Sequence, residues 1–385
     1  MSAGGAAFRL SVYYAALFAA VGVHLPFWPV WLAAKGLTPA EMGWLAAATY
    51  LAKVTVNPVV GHVVDRRGDR RLPMLALAGG ATLCFLLFAV TDGFWPILGV
   101  TMLALGLWGG VMPIGDSLAM MAVARFRLDY GRIRLWGSLS FIVAATLVGR
   151  LLVDAPPSVL MGLVAGGLGV MALACVGLPD LRIDSRKGTP PAPLRPLLSS
   201  RPYLLFVAAA ALNQAAHTVY YAFATLHWKA AGVADDTIGL LWSEGVLAEI
   251  VLFAFSGAAV RRLGPGGLLV TAGLGGVLRW LVLGSSTALP LLVGAQLLHA
   301  ATFGCAHLGA MHFLQRAIPT GLSARAQTLY ATVATGIVPG LMSPFTGWLF
   351  QGLGGSAFLV MAGFSLAATG LAWAVMRRWD GAKIL

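Results

Sequence analysis

Gly61-His62-Val63-Val64-Asp65-Arg66-Arg67-Gly68-Asp69-Arg70-Arg71 is a short basic stretch set between two long apolar runs. Its arginines, Arg66, Arg67, Arg70 and Arg71, are what hold a loop on the non-translocated side of a membrane. They do not account for the spacing of the other residues. Gly68 permits a tight turn, and Gly61 would let the preceding helix approach a neighbour closely. Asp65 can accept from nearby arginines or from the N-terminus of an adjacent helix. The stretch reads as a structured turn between two membrane spans.

The rest of the chain agrees. Of 385 residues, 59% are apolar and only 10% charged, against roughly 25% charged in an ordinary soluble domain. So little charge cannot cover the surface of a water-soluble protein of this size. The net charge of +12 does not point to nucleic acid, because the basic residues sit between apolar runs rather than beside aromatic platforms. Cys84, Cys175 and Cys305 all lie inside apolar runs, which argues against a disulfide framework or a zinc site.

A helix needs about 20 apolar residues to cross a bilayer. Cutting at charged and Pro/Gly-rich punctuation predicts spans over 8–34, 40–64, 72–90, 95–124, 134–152 and 157–178. A second set is predicted over 202–228, 236–260, 267–287, 289–316, 325–351 and 355–376. The first run continues past Trp31, too long for a signal peptide, and is read as a retained span. With both termini cytoplasmic, 21 of the 26 lysines and arginines face the cytoplasm, the arrangement the positive-inside rule selects.

The polar, Pro-rich stretch 179–201 separates the two sets as a cytoplasmic linker. The halves, 1–178 and 202–385, resemble each other: Gly36, Gly43 and Gly61 map onto Gly232, Gly239 and Gly257 at a constant offset of 196 residues. The expected fold is an all-α integral membrane protein of twelve helices in two pseudo-symmetric six-helix bundles. Parallel repeats of this kind describe a large class of secondary transporters with a site near the midplane. No G-x-x-x-x-G-K-[ST] phosphate loop is present, so the energy is expected to come from an ion gradient, with no cofactor and no metal.

The quoted stretch resembles the signature loop of the major facilitator superfamily, written G-x-x-x-D-R-x-G-x-R-R. The resemblance implies that Gly61, Asp65, Arg66, Gly68, Arg70 and Arg71 form a latch between the halves on the cytoplasmic side. The matching loop of the second half, Gly257-Ala258-Ala259-Val260-Arg261-Arg262, lacks the acid, so half a latch is expected there. Leu25-Pro26-Phe27-Trp28-Pro29-Val30-Trp31, Pro113-Ile114-Gly115-Asp116-Ser117-Leu118-Ala119 and Asp129 to Ser138 together resemble the phenylpropionate permease family, a branch near the nucleoside and oligosaccharide proton symporters. Trp242-Ser243-x-Gly245 with Glu249, and Arg279-Trp280, extend the resemblance into the second half. It implies proton-coupled import of a small organic solute, with an aromatic carboxylate as the namesake substrate.

Ionisable residues inside a span cost roughly 2.5–3.5 kcal/mol each on insertion scales, so each calls for a partner or a function. Lys53, Asp116, Glu244, Glu249 and Arg279 qualify. Glu249 and Arg279 lie near the centres of consecutive spans and are expected to pair, as a structural ion pair or as a proton switch. Lys53 occupies the position equivalent to Glu249 in the first half and could attract an anion. Asp116 and Glu244 are further proton-site candidates; tethering of a broken helix is the rival role for Asp116.

Asn213, His217 and Tyr221 fall at i, i+4, i+8, as do His299, Phe303 and His307, giving two polar stripes for hydrogen bonding or proton relay. The spacing of His299, Cys305 and His307 does not converge as a metal site would. Tyr14, Phe27, Trp28, Tyr50, Tyr220, Tyr221 and Trp242 are candidates for a ring-accepting pocket.

The sequence thus points to an inner-membrane, monomeric symporter that binds a small molecule and protons by alternating access. A nucleoside or sugar symporter, a proton-driven exporter and a non-transporting receptor are the alternatives. Short loops without a nucleophile–base pair argue against an enzyme.

Overall fold

The computed structural model of the chain describes residues 2–181, 195–319 and 322–384, apart from the side chains of Asp65 and Ala324. Most of the expected linker, 182–194, therefore lies outside the described residues, as does the Asp65 side chain of the expected latch. Every regular element among the described residues is helical.

In the first half these are α1 (Ala3–Ala34), α2 (Pro39–Arg67), α3 (Arg71–Leu87), α4 (Phe94–Phe126), α5 (Tyr130–Leu152) and α6 (Val159–Gly177). The short α7 (Arg195–Ser199) precedes α8 (Arg201–Ala215), α9 (Thr218–Ala230), α10 (Asp235–Ala254) and α11 (Ser256–Ser285). Then come α12 (Leu289–Leu297), α13 (Ala306–Ala317), α14 (Ser323–Thr332), α15 (Val338–Leu353) and α16 (Ala357–Arg378).

Among the described residues, nine stretches are long and apolar enough to cross a bilayer, and one of them, Arg325–Arg378, holds two of the expected spans. The remaining expected spans are helical as well. α2 carries Lys53, Asn57, Arg66 and Arg67 along its length, and the span expected over 202–228 is divided into α8 and α9. The fold is an all-α integral membrane fold.

The chain divides into two compact units, Met1–Lys187 with Gly232–Ser243, and Gly188–Ala231 with Glu244–Leu385. In the first, α1 packs on α5 and α6, α2 on α4, and α3 on α4 and α6. The α1–α5 contact is close because Gly22 has no side chain: a Cβ there would sit 2.7 Å from the Phe141 carbonyl oxygen. The Gly232–Ser243 stretch joins this unit through hydroxyl contact between Thr146 and Ser243 at 3.0 Å. In the second unit, α11 and α8 pack on α16, and α13 packs on α11.

The basic turn is built as its glycine suggests. Gly68 ends α2 in the left-handed region at φ 66°, and its N–H donates to the Val64 carbonyl. Arg70 folds inward, buried, and donates from Nε to Ser117 Oγ on α4 at 2.9 Å, while the Asp69 carboxylate accepts from Arg71 N–H.

The close approach expected at Gly61 is absent, since a Cβ there would meet nothing within 4 Å. The glycines that bring α2 and α4 together belong to α4 instead. A Cβ on Gly106 would lie 3.3 Å from Ala52, and one on Gly109 would lie 2.6 Å from Lys53 Cγ.

A contrast appears at the end of α4. Arg127 caps that helix in the left-handed conformation, φ 54° and ψ 46°, where glycine is the usual residue. A side chain in that conformation costs about 1 kcal/mol.

Candidate functional site

Two interrupted helices build a polar centre in the second unit. Between α8 and α9 the chain tightens: His217 N–H bonds the Gln214 carbonyl rather than that of Asn213. The freed Asn213 carbonyl oxygen accepts from His217 Nδ1 at 2.7 Å. A carbonyl can only accept, so Nδ1 carries the proton, and in the neutral ring Nε2 is an acceptor.

The second interruption is a widened π-type turn at Ala300–Cys305, between α12 and α13. There Ala306 N–H is directed to the Phe303 carbonyl, and the Thr302 carbonyl takes the Asn213 side-chain amide at 3.0 Å. Each break releases a backbone acceptor, and a polar side chain of the centre takes it up.

Arg279 of α11 is fully buried at the middle of this construction. Its Nη1 donates to His299 Nδ1 and to Thr302 Oγ1, both at 3.0 Å, and its Nη2 to Gln296 Oε1 at 3.0 Å. Tyr220 donates its hydroxyl to the same Gln296 oxygen at 2.8 Å and lays its ring under the guanidinium, 4.3 Å from Cζ to the centroid. Trp280 flanks the guanidinium from another side and donates its indole N–H to Ser365 Oγ. The hydrogen-bond partners of this buried cation are all neutral groups.

The expected pairing of Glu249 with Arg279 takes a specific form: His299 stands between them. Arg279 is always a donor, so the His299 Nδ1 it contacts must present a lone pair. The neutral ring then holds its proton on Nε2, which faces Glu249 Oε2 at 3.7 Å. A second proton on His299 has one place to go, Nδ1, the atom Arg279 already occupies.

Four buried polar atoms of this centre have no hydrogen-bond partner among the described residues: Asn213 Oδ1, His217 Nε2, Arg279 Nε and Gln296 Nε2. α10 lies against it at Gly245, where a Cβ would be in ordinary contact with His299 at 3.4 Å.

Both polar stripes survive the helix breaks. His217 stacks on Tyr221 at 5.7 Å and meets Trp280 edge-on, and His299 stacks on Phe303 at 5.4 Å. His307 lies farther along, exposed, against Phe303 and Phe253. Glu244 lies earlier on α10, half-buried. Gln296 and Thr302 carry much of the site and were not singled out by sequence. Neutral and short, they look in sequence like ordinary helix residues, and only the interruption of the span could have flagged them.

The first unit holds a different polar centre. Asp116 of α4 accepts at Oδ1 from Tyr14 of α1 at 2.6 Å and from Tyr130 of α5 at 3.1 Å. Arg134, one turn beyond Tyr130, lies over the Phe18 ring at 3.8 Å and the Tyr14 ring at 5.5 Å. Lys53 runs its aliphatic stem along α4 at Gly109.

Phe27 is fully buried, and Trp28 stacks between His24 and Trp31 against Phe85 and Phe88. Their rings therefore serve packing inside this unit. Trp242 is likewise buried, in the stretch that packs with the first unit.

An all-helical membrane fold that carries a costly polar centre in each bundle fits a membrane transporter. The chain belongs to the MFS_1 like family, which it matches over residues 7–361, and it is a multi-pass transporter of the major facilitator type.

It is 35% identical to the "Probable 3-phenylpropionic acid transporter" of Escherichia coli (strain K12), over 93% of this chain and 95% of that one. It is 25% identical to the maltose permease of Geobacillus stearothermophilus, over 90% of this chain and 89% of that one. Its fold matches the crystal structure of the nucleoside transporter NupG with a TM-score of 0.80 at 14% identity, covering 97% of this chain and 99% of that one.

Proposed function

We propose that the protein is a proton symporter that imports a small aromatic carboxylate, with Glu249, His299 and Arg279 as the coupling unit. The observation that carries this reading is His299 wedged between an acid and a buried arginine whose hydrogen-bond partners are all neutral.

A proton that reaches His299 at Nδ1, with the Glu249 carboxylate facing the Nε2–H, makes both ring nitrogens donors, so the ring can no longer accept from Arg279. The guanidinium then lacks one of its three acceptors while still buried, and its charge is best met by a carboxylate, which it can grip with two N–H groups. Proton and anion thus favour each other's binding, which is the free-energy coupling a symporter needs. Asn213, His217 and Gln296 offer their unpartnered atoms to polar parts of the solute, and Tyr220, Tyr221 and Trp280 offer ring faces.

The relative bearing the name of a phenylpropionic acid transporter supports an aromatic acid as the solute. The maltose permease relative favours a sugar as the second reading. Asp116 serves to tether α1, α4 and α5 rather than to carry a second proton, Lys53 is a further anion partner, and Arg66 and Arg71 are members of the cytoplasmic latch. The protein sits in the inner membrane, with both termini cytoplasmic, as a monomer.

The test is uptake into liposomes under an imposed pH gradient, with and without a membrane potential. One monoanion moving with one proton is electroneutral, so only the pH gradient should drive accumulation of 3-phenylpropionate. Each additional proton would add about 2.3 kcal/mol of driving force per 100 mV. Accumulation unaffected by collapsing the pH gradient rejects the reading. Inhibition by maltose or nucleosides but not by aromatic acids replaces the solute.

A further inference from the structure

At one end of the first unit a groove of about 660 Å³ runs between α1 and the turn from α4 into α5, with Phe8, Val12, Arg127, Leu128, Arg132 and Trp136 on its walls. The established family and the coupling centre of the second unit leave it without a role. We infer that this groove binds an anionic phospholipid of the phosphatidylglycerol kind, its headgroup at Arg127 and Arg132 and an acyl chain along α5.

Three observations on different residues carry the inference. The first is an apolar track. Trp136 opens a line of exposed side chains on one face of α5 that continues through Leu139, Val143 and Leu147. Large apolar groups left open at i, i+3, i+7 and i+11 on a membrane helix have lipid chains as their natural cover. Phe8, 69% exposed, extends the apolar wall onto α1 at the same level as Trp136. A tryptophan at the end of such a track, beside basic residues, marks the depth of lipid headgroups.

The second is Arg127. It is the one non-glycine residue with positive φ among the described residues, at a helix end where glycine would be free of strain. Backbone strain held by an arginine is explained when its side chain does something a glycine could not. Its guanidinium makes no hydrogen bond or ion pair among the described residues, while it lines the groove.

The third is charge. Arg132 pairs with Asp129 at 3.5 Å, but both side chains are well exposed and the contact is weak, so Arg132 can also reach a phosphate. Arg127 has no such carboxylate and gives the groove its net positive mouth. A basic mouth, an aromatic collar and an apolar track in series match an amphiphile with an anionic head. Free phosphate would use the mouth and leave the track without purpose.

The test uses the purified full chain in detergent, with thermal unfolding followed as dioleoylphosphatidylglycerol, dioleoylphosphatidylcholine or inorganic phosphate is titrated. Phosphatidylglycerol should raise the unfolding temperature of the wild type well beyond what phosphatidylcholine does, and phosphate alone should not. R127G should raise the half-saturating phosphatidylglycerol concentration about fivefold, the contribution of one basic residue near an anionic lipid surface. R127K, which keeps the charge, should stay within twofold of the wild type.

In phosphatidylcholine alone R127G should be at least as stable as the wild type, because glycine relieves the left-handed strain. That excludes a folding defect as the cause of any loss. Equal half-saturation in wild type and R127G, equal shifts with the two lipids, or a shift reproduced by phosphate overturns the inference.

Discussion

The two polar centres, one buried and one half-buried, answer differently to a proton. In the second unit a proton arriving at His299 must take Nδ1, the atom that accepts from Arg279, so protonation and the existing hydrogen bond exclude each other. In the first unit both tyrosines donate to the same oxygen of Asp116, Oδ1. A proton on Oδ2 leaves both bonds intact. A group drives a conformational change only when its charge states prefer different packings. By that criterion the proposed switch is Glu249–His299–Arg279, whereas Asp116 accepts from tyrosines of α1 and α5 and so ties both to α4. A carboxylate in a membrane is therefore not by itself a coupling residue; what decides is whether its proton conflicts with a bond already made.

The largest expected effect comes from removing the cation. R279Q leaves His299 and Thr302 without their donor, each a loss of about 1–3 kcal/mol for a buried group, while Gln296 keeps only Tyr220. Both uptake and counterflow of the solute should fall at least about 100-fold, roughly two such bonds. R279K should restore little, since a compact ammonium cannot span three acceptors held in a planar fork. Counterflow by R279K equal to the wild type would show that the geometry around Arg279 is dispensable.

Next come the proton handlers, which separate exchange from accumulation. E249Q should lose gradient-driven accumulation while solute exchange across the membrane stays within about threefold, a change under 1 kcal/mol. H299N is the sharper probe. Its side-chain oxygen can stand where Nδ1 stood and accept from Arg279, yet it takes no proton at neutral pH. Exchange by H299N should persist and lose the pH dependence that the wild type shows. A wild-type pH profile in H299N would place the proton elsewhere.

Much of this was legible in the sequence because lipid is so intolerant a solvent. Glu249, Arg279, His299 and Asp116 stand out for no other reason than that charge and imidazole are costly in apolar runs. The twelve expected segments are all helical among the described residues for the same reason, since a backbone in hydrocarbon has little alternative.

The arrangement within the second unit was less legible. Spacing placed Glu249 and Arg279 on consecutive spans, but the intervening His299 comes from a third. The breaks at His217 and at Ala300–Cys305 leave no Pro or charge as a marker, and both free a carbonyl that only a three-dimensional neighbour uses. The aromatic candidates divide by their neighbours, not by burial: Tyr220 belongs to the polar centre, whereas Trp28 packs with Phe85 and Phe88 and Phe27 is buried in the same unit. Sequence composition is the same in both cases; the partners differ.

The smallest effects should fall on the first unit, and they test the comparison from its other side. D116N keeps an oxygen that can accept from both tyrosines but removes the charge and the titration. If Asp116 is a tether, D116N should still accumulate solute against a pH gradient at a third or more of the wild-type level, whereas D116A, which removes the acceptor, should lower the unfolding temperature. Y14F and Y130F each delete one hydroxyl, for about 1 kcal/mol or a little more where the acceptor is charged. Y14F should cost more than Y130F, because its bond is the shorter, 2.6 Å against 3.1 Å. Accumulation abolished in D116N and spared in H299N would reverse the assignment, making the carboxylate of α4 the proton carrier and the histidine of the second unit its scaffold.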